Sequence, residues 1–291
     1  ELRWAQIPRE MLQSKEYFLP TINGNTYYDK PLGSYWLVLI SSWCTGAMDE
    51  LACRLPSAIS GMISVLFTML IALRLYDQKT AIYSGIILGT SYSFVFFSRH
   101  ASTDLENIAG ILIALYLFLV YEKKPQGWWI LAFWITMALT SLTKGLLGFA
   151  LPLLVAGVYS LAQNRKMILS ASKPSLIIVN CIKANEWLFQ WRTLIALPFA
   201  ILVYLAPFLI SLVWFGNGEG LSMVWRENIR RFYNPVNHIG PITLYFGVIF
   251  ILLAPWSLFL PAALVQAFSK PKRGLKETQS DLFSMVYFVS M

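Results

Sequence analysis

The sequence predicts an all-α, polytopic integral membrane protein, and its composition carries this prediction. Of the 291 residues, 57% are apolar and 13% are charged, whereas a soluble domain carries about 25% charged residues. The mean hydropathy is +0.57. Aromatic residues make up 15% of the chain, which is typical of proteins with many helix ends at membrane–water interfaces.

Apolar runs that approach the roughly 20 residues of a spanning helix recur along the chain. We predict spans at 55–75, 81–97, 105–121, 128–142, 146–161, 194–214 and 242–265, with another beginning at 282–291. The run 34–48 is shorter and is interrupted by serine and glycine, which indicates an interfacial or re-entrant helix. The chain therefore divides into a juxtamembrane segment, 1–54, with amphipathic interfacial helices, and a transmembrane helix bundle, 55–291.

The distribution of lysine and arginine predicts which ends of the spans share a side of the membrane. The basic run at 123–124 and the run at 270–273 each follow a predicted span, and such runs are typical of cytoplasmic ends. Alternation of the spans then places Glu1, Asp104, Lys144 and Arg230 together on the outer face. If 34–48 crossed the membrane instead, the later segments would lie on the opposite side from 1–30.

The net charge of +8 does not indicate a nucleic-acid-binding protein, because the positive charge is spread over membrane flanks without an aromatic-interleaved groove. Cys44, Cys53 and Cys181 are scattered and odd in number, so they predict neither a metal site nor a disulfide framework. The composition therefore favours a function in the membrane over nucleic-acid binding or a metal-dependent or disulfide-based role.

Asp104 is the strongest single candidate for a functional residue. It lies at the predicted outer mouth of a membrane helix, where ionisable residues are functional candidates by default. An alternative is a capping box, in which Thr103 caps the helix and Glu106 returns the hydrogen bond. That alternative does not explain Arg99-His100, which come just before. A divalent cation site at Asp104 also stays open.

Basic residues at other predicted outer ends suggest that an anion binds there. Lys144 stands in a short connection between two spans, where snorkelling towards headgroups is the alternative. Asp29-Lys30 precede an apolar helix and form either a surface ion pair or a site for a lipid phosphate. Arg226, Arg230 and Arg231 run against the positive-inside rule, and arginine can donate two hydrogen bonds to a phosphate. Contact with bulk anionic lipid is the alternative.

Five short motifs occur here in the order seen in one family of membrane enzymes. The chain resembles the aminoarabinose-to-lipid-A transferases and their protein mannosyltransferase relatives over nearly its whole length. The motifs are Arg3-Trp4-Ala5-Gln6-Ile7-Pro8-Arg9-Glu10-Met11, Tyr28-Asp29-Lys30-Pro31-Leu32, Thr103-Asp104, Thr143-Lys144-Gly145, and Asn228-Ile229-Arg230-Arg231-Phe232 with Asn237-His238. The resemblance implies a GT-C type glycosyltransferase that takes a sugar from a polyprenyl phosphate and inverts its anomeric carbon.

The resemblance also implies roles for individual residues. Glu1 would be the second member of an acidic pair, with an Asp expected just before it, and Asp104 would share the catalytic role. Substrate binding would fall to Arg3, Asp29, Lys30, Lys144, Arg230, Arg231 and His238. The chain departs from the family in having Asp29 where Glu is frequent and Asn228 where His is common. Later helices and any C-terminal domain of the family are expected beyond the chain.

The predicted function is transfer of a sugar from a polyprenyl-phosphate donor to a lipid or glycolipid acceptor, most naturally lipid A, among membrane lipids. The predicted location is the bacterial inner membrane, with the active site facing the periplasm. The alternative is a lipid or solute transporter or flippase, which would place ionisable residues at mid-membrane and repeat its helices symmetrically. The charges here cluster at segment ends, which favours the enzyme.

Overall fold

A computed structural model describes residues 2–125, 128–171, 173–230, 233 and 242–269, and its fold is a bundle of α-helices. The juxtamembrane part contains α1, β1, β2 and α2. The bounds are α1 Leu2–Ser14, β1 Thr21–Ile22, β2 Asn25–Thr26, α2 Gly33–Thr45, α3 Glu50–Leu75, α4 Gln78–Thr90, α5 Tyr92–Ser98, α6 Asp104–Lys123, α7 Trp129–Lys144, α8 Leu147–Gln163, α9 Arg165–Leu169, α10 Pro174–Ala184, α11 Trp191–Phe215, α12 Glu219–Trp225, α13 Ile242–Leu252 and α14 Leu260–Ser269. A π-helical turn, Arg226–Arg230, extends α12.

Three of the described helices, α3, α6 and α11, are long and apolar enough to cross a membrane. Helices α4 and α5 pass the same test as a pair bent by 65° at Ser91. Helices α7 and α8 have 16 and 17 residues, so they fall just short of the length that a spanning helix needs. They correspond to the predicted spans 128–142 and 146–161 and form a tight hairpin, joined by Gly145 and Leu146 alone. The chain is a multi-pass membrane protein.

Two aspartates set the starts of the α3 and α4 helices. The side chain of Asp49 accepts a hydrogen bond from the Ala52 amide at 2.9 Å, and that of Asp77 accepts one from the Thr80 amide at 2.8 Å. Each satisfies an amide that the first helical turn leaves without a partner. Helix α3 therefore begins at Glu50, a few residues before the predicted span.

Helix α6 is the most buried of the long helices and forms the centre of the bundle, between α3 and α7. Gly110 of α6 faces Thr140 of α7 so closely that a β-carbon at Gly110 would collide with the threonine side chain. Small residues allow membrane helices to approach in this way. The close contact fixes the relative height of α6 and α7, and hence of Asp104 and Lys144 at their ends.

The predicted span 242–265 is interrupted in the structure. Helix α13 ends at Leu252, a 3₁₀ turn follows at Trp256–Phe259, and α14 begins at Leu260. Pro255 and Pro261 explain the interruption, because proline has no amide hydrogen to donate and its ring clashes with the preceding turn. The predicted span at 282–291 lies outside the described residues.

A short β-hairpin, Thr21–Thr26, is attached to α1 by Glu10. The Glu10 carboxylate accepts hydrogen bonds from Thr21 Oγ1 at 2.7 Å, from the Asn23 amide at 2.8 Å, from the Gly24 amide at 3.3 Å and from Gln6 Nε2 at 3.1 Å. Burial acts to raise the pKa of Glu10, but these hydrogen bonds outweigh it and hold the pKa below its usual value. The hairpin therefore leads the chain from α1 to Asp29 along a defined path.

Glu10→Ala is expected to destabilise this part of the protein, because four donors lose one charged acceptor. Hydrogen bonds to charged groups are worth about 1.5–3 kcal/mol, and this partly exposed site should fall at the lower end. The contribution is present at neutral pH and disappears as the pH falls through the lowered pKa of Glu10. Thermal unfolding in detergent and protease cleavage at Asn23-Gly24 measure the change. Glu16→Ala serves as the control, since the Glu16 carboxylate makes no hydrogen bond to another described residue.

Candidate active site

Four segments that are far apart in sequence meet at one end of the bundle. They are 28–34, 103–106, 143–146 and 226–230, and together we call them the four-segment site. Each contacts two of the others: Lys30 with Glu227, Asn228 with Leu146, Lys144 with Asp104, and Glu106 with Ser34. The contacts close into a ring, so the segments predicted to share one face of the membrane do lie together.

Asp104 and Lys144 form an ion pair across the ends of α6 and α7. Lys144 Nζ donates to Asp104 Oδ1, and the two side chains are 34% and 37% exposed for Asp104 and Lys144 respectively. Both groups therefore remain accessible to a ligand while they hold each other in place. Snorkelling does not describe Lys144, whose ammonium group is directed to a carboxylate.

A second charged cluster surrounds Glu227. Its carboxylate lies 3.4 Å from Lys30 Nζ and 3.7 Å from Arg226 Nε, and its side chain is only 12% exposed. Arg226 Nη2 also donates to the Tyr28 carbonyl at 2.8 Å. Among the described residues, Lys30 and Arg226 thus share this one half-buried carboxylate, which leaves them with a surplus of positive charge.

Asn228 connects the π-helical turn to the α7–α8 turn. Its Oδ1 accepts a hydrogen bond from the Leu146 amide at 2.8 Å, and its Nδ2 donates to the Val224 carbonyl at 2.7 Å. Gly145, which has a φ of +86°, lies so close that a β-carbon would come within 2.9 Å of Asn228 Oδ1. A glycine is therefore required here both by its conformation and by the space available.

Asn228→Leu is expected to loosen this junction, because it removes the acceptor of the Leu146 amide and the donor to Val224. A buried amide left without a partner costs about 1–3 kcal/mol. Hydrogen exchange at the Leu146 amide should become faster than in the wild type. Asn180→Leu is the matched control, since the Asn180 side chain bonds only to the Met167 carbonyl among the described residues. Unchanged exchange at Leu146 would contradict the assigned hydrogen bond.

Glu106 does not complete a capping box. The Thr103 side chain makes no capping hydrogen bond, and the Glu106 carboxylate instead accepts from Ser34 Oγ at the start of α2. Gly33, beside Ser34, lets the start of α2 pack closely on α7, since a β-carbon there would lie 2.6 Å from the Leu142 carbonyl oxygen. The local capping explanation for Glu106 is therefore wrong, and the residue joins α2 to α6 beneath Asp104.

Arg3 and Asp29 form a third charged pair, between α1 and the segment that carries Lys30. Arg3 Nη1 lies 2.6 Å from Asp29 Oδ2 and donates to Tyr27 Oη at 3.3 Å. Burial acts to lower the pKa of Arg3, but the hydrogen bond to Tyr27 and the charge of Asp29 outweigh it, so the pKa is raised. Arg3 is therefore a permanent cation, and it is paired with Asp29.

Arg230 is exposed and has no hydrogen-bond or ion-pair partner within the described part of the chain. Glu1, Arg231 and His238, which were also predicted to belong to the site, lie outside the described residues. Glu227, Glu106 and Ser34 were not predicted. The one signal for Glu227 was its position as an acid inside a basic segment, whereas nothing in the sequence pairs Ser34 with Glu106.

No group of three or more His, Cys, Asp or Glu side chains that could hold a metal ion occurs among the described residues. The Asp104 carboxylate is paired with Lys144, and its neighbour Glu106 is directed to Ser34. The charged side chains described in these segments are therefore mainly carboxylates paired with lysine or arginine. Such a site is suited to binding phosphate and to positioning a reacting oxygen.

Comparison with known proteins shows which membrane enzymes the chain is similar to. The chain is 29% identical over 281 residues to the undecaprenyl phosphate-alpha-4-amino-4-deoxy-L-arabinose arabinosyl transferase 1 of Pseudomonas fluorescens, covering 94% of this chain and 47% of that protein. It is 27% identical to the corresponding transferase of Pectobacterium carotovorum, covering 94% of this chain and 46% of that protein. The chain thus spans about half the length of the curated relatives it matches.

The fold agrees with solved structures over almost all of the chain. The crystal structure of ArnT from Cupriavidus metallidurans bound to undecaprenyl phosphate superposes with a TM-score of 0.71, at 22% identity, covering 99% of this chain and 49% of ArnT. This confirms the predicted all-α, GT-C type membrane fold. Residues 29–184 match the family of dolichyl-phosphate-mannose-protein mannosyltransferases, and because this match covers more than half of the 291 residues, the chain belongs to that family.

Proposed function

We propose that the chain is part of an integral membrane glycosyltransferase that moves a sugar from a polyprenyl-phosphate donor to a lipid or glycolipid acceptor, with lipid A the leading candidate. The names of the relatives support the donor, since they are arabinosyl transferases that act with undecaprenyl phosphate-linked aminoarabinose. The four-segment site supports the chemistry. The proposal places this site on the periplasmic face of a bacterial inner membrane.

The donor phosphate binds between Lys30 and Arg226, with Arg230 and Arg231 from the same outer segment. Lys30 and Arg226 share the single carboxylate of Glu227, so an incoming phosphate can take its place. Arg3 supports this arrangement indirectly, because its ion pair with Asp29 fixes the residue next to Lys30. These cations stabilise the negative charge that builds on the phosphate as the sugar leaves.

In the transfer step an acceptor oxygen attacks the anomeric carbon from the side opposite the phosphate. The bond between that carbon and the phosphate oxygen breaks, and polyprenyl phosphate leaves with the electron pair. Asp104 accepts the proton of a hydroxyl acceptor or orients the acceptor, together with Glu1 and the acid expected before it. Lys144 holds Asp104 in place and adds positive potential. If the acceptor is itself a phosphate, its oxygen carries no proton and Asp104 acts by orientation alone.

The single observation that carries this proposal is the closed ring of contacts between the four segments. It gathers Asp104, Lys144, Lys30 and Glu227 at one end of a helical bundle. A transporter or flippase would need ionisable groups along a path through the membrane. In the described residues the charged groups that were predicted to act lie at the ends of helices instead.

The direct test uses the full-length protein, purified and reconstituted in lipid vesicles. A radiolabelled aminoarabinose or mannose on undecaprenyl phosphate is offered with lipid A as the acceptor. The expected result is label on lipid A and release of unlabelled undecaprenyl phosphate. Movement of the intact labelled donor between leaflets, with no label on an acceptor, would establish the transporter instead.

Removal of divalent cations is expected to leave sugar transfer little changed. The ligands that we assign to the phosphate are lysine and arginine side chains, and the Asp104 carboxylate is paired with the Lys144 ammonium group. Turnover of the full-length protein is measured in EDTA and again after magnesium or manganese is restored. A loss of activity in EDTA that one of these ions reverses would assign Asp104 to a cation site.

A further inference from the structure

A second groove lies along α5, outside the four-segment site. It encloses about 620 Å³, a size typical of ligand pockets, and its walls include Tyr92, Val95 and Phe96 of α5 and Pro255 of the opposite segment. Arg99 and His100 line one end. The sugar-transfer mechanism uses none of these residues, although Arg99-His100 stood out in the sequence.

The bend between α4 and α5 creates this groove. The two helices meet at 65°, and the segment after α13 packs into the bend. The Tyr92 amide donates to the Ala254 carbonyl at 2.9 Å, and Trp256 Nε1 donates to Thr90 Oγ1 at 2.8 Å. These hydrogen bonds hold the far wall in place, so the groove is a fixed feature of the fold.

The groove has an apolar interior and a cationic end. Arg99 is exposed, and no described residue gives its guanidinium group a hydrogen bond or an ion pair. His100 Nδ1 donates to the Phe96 carbonyl at 2.7 Å, and the imidazole stacks on the Phe96 ring with centroids 4.0 Å apart. These contacts fix the orientation of the His100 imidazole and leave its Nε2 atom available to a ligand. None of the described residues that line the groove carries a carboxylate.

The cationic end lies on the same side of the bundle as Asp104. Helix α5 ends at Ser98 and α6 begins at Asp104. Four residues lie between Arg99 and Asp104, so the distance between their Cα atoms is at most about 18 Å. The apolar interior runs from there along α5 towards the bend. A molecule that fills the groove therefore has an anionic head near Asp104 and a hydrocarbon chain among Tyr92, Val95 and Phe96.

We propose that this groove binds the acceptor lipid, with its phosphate on Arg99 and one of its chains along α5. The assignment rests on the proposed function, because the donor phosphate already has Lys30 and Arg226 as ligands. Arg99 is a separate arginine that has no partner among the described residues, and it then indicates a second anionic lipid. Arg99 is a binding residue for the acceptor, and the groove positions that lipid so that its head group reaches Asp104.

The test uses the full-length protein in phosphatidylcholine vesicles and a phosphatidic acid that carries a diazirine on one acyl chain. Irradiation without donor should label the α5 peptide. Arg99→Gln removes the cation, and Val95→Trp fills the groove. Each should reduce labelling about tenfold, which corresponds to about 1.4 kcal/mol of binding. A diacylglycerol with the same diazirine should label α5 weakly.

Matched controls separate a specific groove from general effects of the substitutions. Ile86→Trp introduces the same side chain at an exposed position of α4, and Arg165→Gln removes an exposed arginine from α9. Both control variants should be labelled to the same extent as the wild type. In the transfer assay, Arg99→Gln should raise the KM for a phosphorylated lipid acceptor and leave the KM for the polyprenyl-phosphate sugar unchanged.

Three results would overturn the inference. Labelling of Arg99→Gln and Val95→Trp at the wild-type level would remove the groove as the site. Loss of label on addition of undecaprenyl phosphate would assign the groove to the donor chain. An unlabelled wild type would mean that another part of the longer protein covers the groove. If labelling depends on Arg99 but no sugar is ever transferred, the anionic-lipid site stands and only the acceptor role and the proposed function fail.

Discussion

Asp104→Asn is expected to reduce sugar transfer to a hydroxyl acceptor by about two to three orders of magnitude, the effect typical of losing a positioned acid–base group. The substitution keeps the size and shape of the side chain but removes its charge and its ability to accept a proton. If the acceptor is a hydroxyl, the loss appears in kcat, because the proton leaves in the transition state. The measurement is transfer from a labelled polyprenyl-phosphate sugar by the full-length protein.

The same substitution is expected to change stability little, and this makes the result interpretable. Asp104 and Lys144 are each about one-third exposed, and an ion pair of that kind contributes up to about 1 kcal/mol. Asp104 is the first residue of α6, where the loss of its charge beside the helix N-terminus costs only about 0.3–1 kcal/mol. A variant that unfolds at the wild-type temperature but transfers no sugar therefore reports on chemistry and not on folding.

Asp77→Asn provides the matched control at the start of α4. Asp77 caps that helix through the Thr80 amide and contacts none of the four segments. Asparagine keeps the cap, so this variant should be as active as the wild type. Wild-type transfer by Asp104→Asn at equal expression would remove Asp104 from the reaction and would leave Lys144 as a structural partner only.

Hydropathy predicted most of the bundle because burial in lipid demands long apolar helices. The predicted spans 105–121 and 194–214 lie inside α6 and α11, and the α7–α8 hairpin follows from two apolar runs with almost nothing between them. The prediction of one continuous helix at 242–265 was wrong because hydropathy is averaged over residues and does not take into account that proline lacks an amide donor. Pro255 and Pro261 therefore interrupt a segment that is apolar enough to cross.

Side-chain partners were harder to predict than helices because they come from remote parts of the chain. Asp29 and Lys30 are neighbours in sequence, which suggested a local ion pair, but Asp29 pairs with Arg3 and Lys30 with Glu227. Glu106 fits a local capping pattern and yet bonds to Ser34, 72 residues away. Motifs singled out candidate residues, whereas the packing of α2, α6 and α7 decides what each one contacts.

Two substitutions in the Glu227 cluster should change donor binding in opposite directions. Lys30→Met removes one of the two cations that share the Glu227 carboxylate, while its length and apolar stem are kept. A charge-assisted hydrogen bond to phosphate is worth about 1.5–3 kcal/mol, so the Kd for undecaprenyl phosphate should rise about tenfold to a hundredfold. Equilibrium binding of labelled undecaprenyl phosphate measures this without any requirement for turnover.

Glu227→Gln should instead tighten the same binding, because a phosphate no longer has to displace a carboxylate. The Glu227 side chain is only 12% exposed, so its charge acts on Lys30 and Arg226 with little screening by water. Tighter binding of the leaving undecaprenyl phosphate should also slow its release, and kcat should fall where release limits the rate. Glu16→Gln, on the α1 side of the hairpin, should change neither value. Weaker binding in Glu227→Gln would mean that Glu227 organises Lys30 and Arg226 for the phosphate rather than competing with it.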